Sequence, residues 1–386
     1  MIQTPPTSLY IHIPWCVKKC PYCDFNSHEQ RGDLQENAYV DALLADLDAD
    51  LLAFPWMRER RIETVFFGGG TPSLFSVDAI ARILDGARAR LLFSDTCEIT
   101  LETNPGTVEH GRFDGYARAG VNRISFGVQS FNDAALKRLG RIHDAEQAVQ
   151  AFAEAQAAGI DEINIDLMYA LPEQHIEQAL HDVERALALG PTHVSHYQLT
   201  LEPNTVFAAR PPRLPDEDSA WDMQEQCQSL LAAAGFAQYE VSAYAAAGHQ
   251  CRHNLNYWRF GDYLGIGAGA HGKLSDPDAQ RILRPWKIKH PRGYLANAGS
   301  AARLGGCDDI ARDQRAFEFM LNALRLNEGA RIVDFTATTG LCIEDIRTPI
   351  DAALERGWID TDLGERIKPT ALGSRFLNDV IELFLP

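Results

Sequence analysis

Residues 10–25 read Tyr-Ile-His-Ile-Pro-Trp-Cys-Val-Lys-Lys-Cys-Pro-Tyr-Cys-Asp-Phe. Leu9 to Ile13 alternate aromatic and branched residues, which predicts a short strand that Pro14 ends. A loop with Cys16, Cys20 and Cys23 follows, spaced Cys-x3-Cys-x2-Cys. One disulfide would use two of these thiols and strand the third, whereas a soft metal centre takes all three as thiolates. A [4Fe-4S] cluster usually has a cysteine on each iron, so three thiolates leave one iron open to a small chelating molecule. Two other readings fit the spacing. Zinc would add His28 or His12 as a fourth ligand, and Cys20-Pro-Tyr-Cys23 is by itself a C-x-x-C redox pair.

Outward from this loop, strands and helices alternate. A helix capped by Asp33 is expected, with Tyr39, Val40, Leu43, Leu44, Leu47, Leu51 and Leu52 as its apolar stripe. The strand Thr64-Val-Phe-Phe67 runs into Gly68-Gly-Gly-Thr-Pro72, and Ser76 caps the next helix. Cys97 to Leu101 is strand again and ends at Glu102-Thr-Asn-Pro105. Strands then recur at 122–129, 163–169 and 193–199, with helices between. Six strands so spaced mean βαβ units and a parallel sheet, either a partial barrel or an open doubly wound sheet. The cysteines, Thr71, Glu102, Gln129, Asp166 and the segment around Thr200 fall at strand C-terminal ends, where barrels place their sites.

Three regions are expected: a barrel over 1–215, an extension over 216–305 and a C-terminal domain over 306–386. The Arg210-Pro-Pro-Arg-Leu-Pro215 stretch marks the first break. Helices at 315–326 and 350–356 and a small ribbon at 358–370 give the last region a winged-helix-like pattern. Such folds often bind DNA. Here nine Lys/Arg stand against thirteen Asp/Glu over 312–382, and the whole chain carries −17. Both disfavour contact with nucleic acid phosphates. Hydrophobic residues make up 46% of the 386, enough for a sizeable core. Cys97, Cys227, Cys251, Cys307 and Cys342 are scattered, unlike a secreted disulfide framework, and imply a reducing cytoplasm. No signal-like N-terminus and no run of 18 apolar residues is present; peripheral membrane contact and a homodimer stay compatible with the sequence.

The cysteine spacing, with an aromatic residue before the third cysteine, resembles the signature of the radical S-adenosylmethionine (SAM) enzymes. Leu9-Tyr10-Ile-His-Ile-Pro-Trp-Cys16 resembles the oxygen-independent coproporphyrinogen III oxidase-like branch. So do Gly68–Pro72, Leu101–Gly106, Ile124–Ser130, Leu136–Arg141 and Asn164–Pro172. The resemblance implies a partial (β/α)6 barrel, a [4Fe-4S] cluster on Cys16, Cys20 and Cys23, and a SAM pocket. Tyr10, Gly69, Gly70, Thr71, Glu102, Gln129, Arg141 and Asp166 would line that pocket, with Tyr22 against the nucleoside. Carboxylates suit an ammonium or ribose hydroxyls, and an arginine suits a carboxylate.

Within the branch, two departures separate the chain from the oxidases. Phe25 stands where they show a further cysteine, and only nine residues precede Tyr10. Arg252-His253-Asn254-Leu-Asn-Tyr257-Trp258 resembles the His-Asn-x-x-Tyr-Trp motif of the branch's heme chaperones. By that match His253 would ligate heme, with Cys251 as a rival and Tyr and Trp as flat apolar contacts. The implied function is to hold heme and pass it to recipient hemoproteins, with SAM bound but porphyrinogen oxidation weak or absent. The alternative is the oxidase reaction itself, coproporphyrinogen III to protoporphyrinogen IX. Gly265-Ile-Gly-Ala-Gly-Ala-His271 opens no βαβ unit and is read as backbone packing near the site.

Overall fold

Strand Thr7–Ile13 lies parallel to strand Arg61–Gly69, with Ile13 opposite Gly69. The cysteine loop and the glycine loop therefore leave the sheet side by side. This is a computed structural model, and it describes residues 1–106, 111–360 and 365–386. Strands Leu92–Thr103, Arg123–Gln129, Glu162–Tyr169 and His193–Gln198 continue the parallel series. The order is that of successive βαβ units, a partial barrel rather than a strand-swapped open sheet. Leu9, Ile11, Val65, Phe67, Leu101, Ile124, Ile163 and Val194 are buried in one continuous core with the surrounding helices.

Both sheet edges are completed by later residues. Asp262–Ile266 adds a seventh parallel strand beside Thr7–Ile13, with Tyr10 opposite Gly265. Ala237–Glu240 and Ala243–Ala245 close the other side as an antiparallel pair. The expected packing loop at 265 begins inside the sheet.

Helix Glu36–Ala53 starts at Gln35, not at the expected Asp33. Glu36 instead reaches across to the backbone N–H and hydroxyl of Ser76, which caps the next helix, Val77–Arg88, through Ala79 N–H. The same first helix carries Asp46 and Asp50 inward. Lys287 Nζ lies 2.6 Å from Asp50 and Arg303 Nε 2.9 Å from Asp46, and Tyr294 Oη donates to Asp46 at 2.7 Å. All are buried. A charge so enclosed is tolerable only when paired, so removing one partner strands the others. The network fastens residues 287–303 to the helix that follows the cysteine loop.

A second core gathers Ile2, Phe260 and Ile282 with Phe319, Phe335, Ile350, Ile367 and Phe384. It belongs to helices Arg315–Ala323, Ile332–Thr339 and Arg347–Glu355. A three-stranded sheet of Ala330–Arg331, Arg366–Pro369 and Ile359–Asp360 completes the helix-and-ribbon pattern.

Candidate cofactor and heme site

Cys16, Cys20 and Cys23 are free, half-buried and line one cavity of about 450 Å3 at the C-terminal strand ends. Tyr22, Gly69, Gly70, Thr71, Glu102, Gln129, Arg141 and Asp166 line the same cavity. Strand register puts them there. Glu102 is next to last in its strand, Gln129 ends its own, and Asp166 sits opposite Ser195 on neighbouring strands. Gln129 closes its strand at φ 74, a left-handed value rare for a side-chain-bearing residue. Its carbonyl Oε1 accepts from Tyr197 Oη at 2.8 Å, which aims the side chain. Tyr10, expected in the same pocket, lines instead the neighbouring cavity of Tyr257 and Trp258, with its Oη 2.9 Å from His12 Nδ1.

The glycine loop is tied down from behind. The N–H groups of Gly70 and Thr71 donate to the carbonyls of Ile13 and Trp15, both at 2.8 Å. A Cβ on Gly70 would stand 2.5 Å from the Trp15 carbonyl oxygen. Here glycine is needed for close approach, not for flexibility. Gly69 N–H donates to Glu102 Oε2 at 3.2 Å.

Burial dominates the electrostatics of the cavity. Burial, aided by nearby Asp166, pushes the Glu102 carboxyl up to about 8. Burial likewise raises Asp166, although Asn164 Nδ2 donates to it at 2.8 Å. Burial also raises the Cys16 thiol, which a bound soft cation would reverse. Arg141 donates to Asn104 Oδ1 at 2.5 Å and approaches Cys20 Sγ at 3.7 Å. Its buried Nε has no hydrogen-bond partner among the described residues. Asn104, which the sequence reading passed over, links Arg141 to Thr71 Oγ1 at 2.8 Å. It lay inside the quoted Glu-Thr-Asn-Pro segment, and its short amide on a strand-end turn was the available signal.

The radical SAM superfamily pattern matches residues 10–186, and the HemN C-terminal domain pattern matches residues 310–376. The Escherichia coli protein named heme chaperone HemW is 52% identical over 100% of both chains. Its Haemophilus influenzae counterpart is 51% identical over 100% of this chain and 99% of its own. The chain belongs to the HemW family. The solved Escherichia coli coproporphyrinogen III oxidase shares the fold, with TM-score 0.82 at 24% identity over 99% of this chain and 90% of that one. Membership of the radical SAM superfamily implies a [4Fe-4S] cluster and SAM. The residues fit both: three free thiols on one loop, two carboxyls that burial holds toward the neutral form, and an arginine with an orphaned N–H.

The HemW-type His-Asn-x-x-Tyr-Trp segment forms helix Arg252–Trp258, outside the cysteine cavity. His253 is buried, and both ring nitrogens are engaged: Nδ1 with Thr64 Oγ1 at 2.7 Å and Nε2 with Tyr257 Oη at 3.0 Å. Its ring stacks on Phe66, and burial holds the imidazole down at about 3. The expected axial ligand is therefore placed as a neutral brace between a strand and a helix. Cys251 is no freer, since burial pushes its thiol up to about 12 and its Sγ faces Glu98. Tyr257 and Trp258 do face open space. They line a second cavity of about 520 Å3 that shares Phe25, Gly69 and Glu102 with the first. Among the described residues, no helix is long and apolar enough to cross a membrane.

Proposed function

We propose that this chain is a heme chaperone on a radical SAM scaffold that holds heme and delivers it to recipient hemoproteins. The observation carrying this reading is the pair of adjoining cavities, one lined with thiols and buried charges, the other with aromatic rings. The name of the full-length relatives, heme chaperone HemW, supports it. Cys16, Cys20 and Cys23 would hold a [4Fe-4S] cluster, which supplies one-electron chemistry when bound. Glu102 and the Gly69–Gly70 turn would take the ammonium of SAM, Arg141 its carboxylate, Asp166 and Gln129 its ribose, and Tyr22 the base. Thr71 holds Asn104, and through it the Arg141 fork, in place. A bound cation between Glu102 and Asp166 lets both ionise, so the pocket gains its ligand and loses its own strain together. Delivery in the cytoplasm, with peripheral membrane contact or a homodimer at handover, is part of the same proposal; sedimentation and vesicle flotation of the heme-loaded chain test it.

The functional test uses anaerobically reconstituted protein with SAM and reductant. Heme transfer to an apo-hemoprotein is expected, with no conversion of coproporphyrinogen III. Turnover at about one per second or faster, the ordinary range of enzymes, would install the oxidase reading instead.

A further inference from the structure

We propose that heme sits in the second cavity and that His271 supplies the axial nitrogen to its iron. The inference rests on the heme-chaperone reading and adds to it the place and the ligand.

Three imidazoles lie in or behind this cavity, and their partners separate them. His12 is spent, with Nδ1 on Tyr10 Oη and Nε2 on the Asn26 carbonyl oxygen, both at 2.9 Å. His253 is spent on Thr64 and Tyr257. His271 lines the cavity and is exposed. Its ring nitrogens have no hydrogen-bond partner among the described residues. An imidazole must bring a free lone pair to iron, and this is the one side chain of the three that does so without breaking a buried pair.

The setting of His271 is fixed from behind. It pairs with Trp286 as an isolated antiparallel bridge, and the two rings lie nearly parallel with centroids 6.4 Å apart. A Cβ on neighbouring Gly269 would stand 2.3 Å from the Asn26 amide, so the loop is pressed against the segment that follows the cysteines. Burial and the charges of Lys289 and Arg284 lower the imidazole's proton affinity, which keeps it in the ligating form near neutrality.

The remaining lining suits a flat ring with carboxylate arms. Tyr257, Trp258, Tyr263 and Phe25 present aromatic surface, and the volume lies in the ordinary range for cofactor sites. Lys289 is exposed and Arg284 half-buried on the same lining, in a chain of net charge −17. Arg284 is neutralised in part by Glu318, but its buried Nε has no partner among the described residues. Two cations there match the two propionates of a heme. A single ligand on an exposed loop also suits a molecule that must be released.

The test titrates hemin, and separately metal-free protoporphyrin IX, into the full cluster-loaded chain and into His271→Ala, His253→Ala and Lys289→Glu. Difference absorbance and the EPR of ferric heme are read. For His271→Ala, hemin affinity is expected to fall ~10-fold or more. The histidine-ligated signature is expected to vanish, while metal-free porphyrin binds as to the parent. Lys289→Glu should weaken both ligands, and His253→Ala should keep the ligated signature. Loss of that signature in His253→Ala alone would overturn the assignment, as would an unchanged spectrum in His271→Ala. A parent protein that carries its cluster but binds no hemin would overturn the heme reading itself, and this inference with it.

Discussion

The two cavities share Gly69 and Glu102 yet are made of opposite materials. The first draws its side chains from strand ends in a parallel sheet, where register fixes each position. Thiols, carboxyls and a guanidinium meet there, positioned by Asn104, Asn164 and the glycine turn. The second gathers Tyr257 and Trp258 from the helix end with Tyr263, His271 and residues of several other segments, and it offers rings, a loosely held histidine and cations at its rim. On the proposed reading, the contrast is that between a resident and a passenger. A resident cofactor is matched by buried charge, since charge placed out of water is specific and slow to let go. A passenger is held by area, one iron bond and ion pairs at an exposed rim, which permits release.

The comparison breaks most sharply at the cysteines. Cys16→Ser, Cys20→Ser or Cys23→Ser should each abolish cluster retention, read as iron and labile sulfide. Hemin binding in the neighbouring cavity should survive. Loss of both together would mean that the cavities are one site.

A smaller effect sharpens the electrostatic half. Empty-pocket Glu102 keeps its proton up to about 8, against an ordinary 4.5. A cationic ligand prefers the ionised form, so SAM affinity should rise between pH 6 and about 8 and then level, with proton release on binding below that point. The sign for stability is opposite. A raised carboxyl costs the empty fold stability as pH climbs from the ordinary value through about 8. Glu102→Gln should remove both trends and weaken SAM binding ~10-fold or more. Calorimetry in buffers of different ionisation enthalpy reads the protons; a flat profile in the parent would refute the cation-awaiting pocket.

The smallest effect falls on the wall between a strand and a helix. His253→Ala leaves Thr64 and Tyr257 without their shared partner and should cost about 1–3 kcal/mol, seen as a lower thermal midpoint. Cluster content should not change. Full stability in this variant would show that the buried ring braces nothing.

The cysteine loop, the glycine turn and the strand-end polar residues were legible because each is local. Alternation marks the strand, a glycine or proline marks its end, and the next polar residue faces the barrel mouth. Cys16, Cys20, Cys23, Tyr22, Glu102, Gln129, Arg141 and Asp166 meet in one cavity as that logic requires. The rest depended on distant partners. Asp262–Ile266 is only five residues long and runs straight into a glycine repeat, and its place beside Thr7–Ile13 rests on backbone pairing that no local pattern encodes. Glu36 displaced Asp33 as the organiser of its helix start because Ser76, far along the chain, supplied a better contact. His253 carried a motif but not an exposed lone pair. His271 carried the lone pair inside a stretch that looked like packing.

The pairing of Thr7–Ile13 with Asp262–Ile266 sets a schedule for synthesis. The first strand leaves the ribosome early, and its neighbour on one side is made about 250 residues later. At about 5–20 residues per second, that interval lasts roughly tens of seconds. During it, a strand whose Leu9, Ile11 and Ile13 end up fully buried has one bare hydrogen-bonding edge. The nascent chain is then open to pairing with another copy, and the cysteine loop stands next to that edge. Production of the protein should therefore favour slow expression and abundant holdase, and a fragment ending before residue 262 should precipitate rather than yield a working barrel.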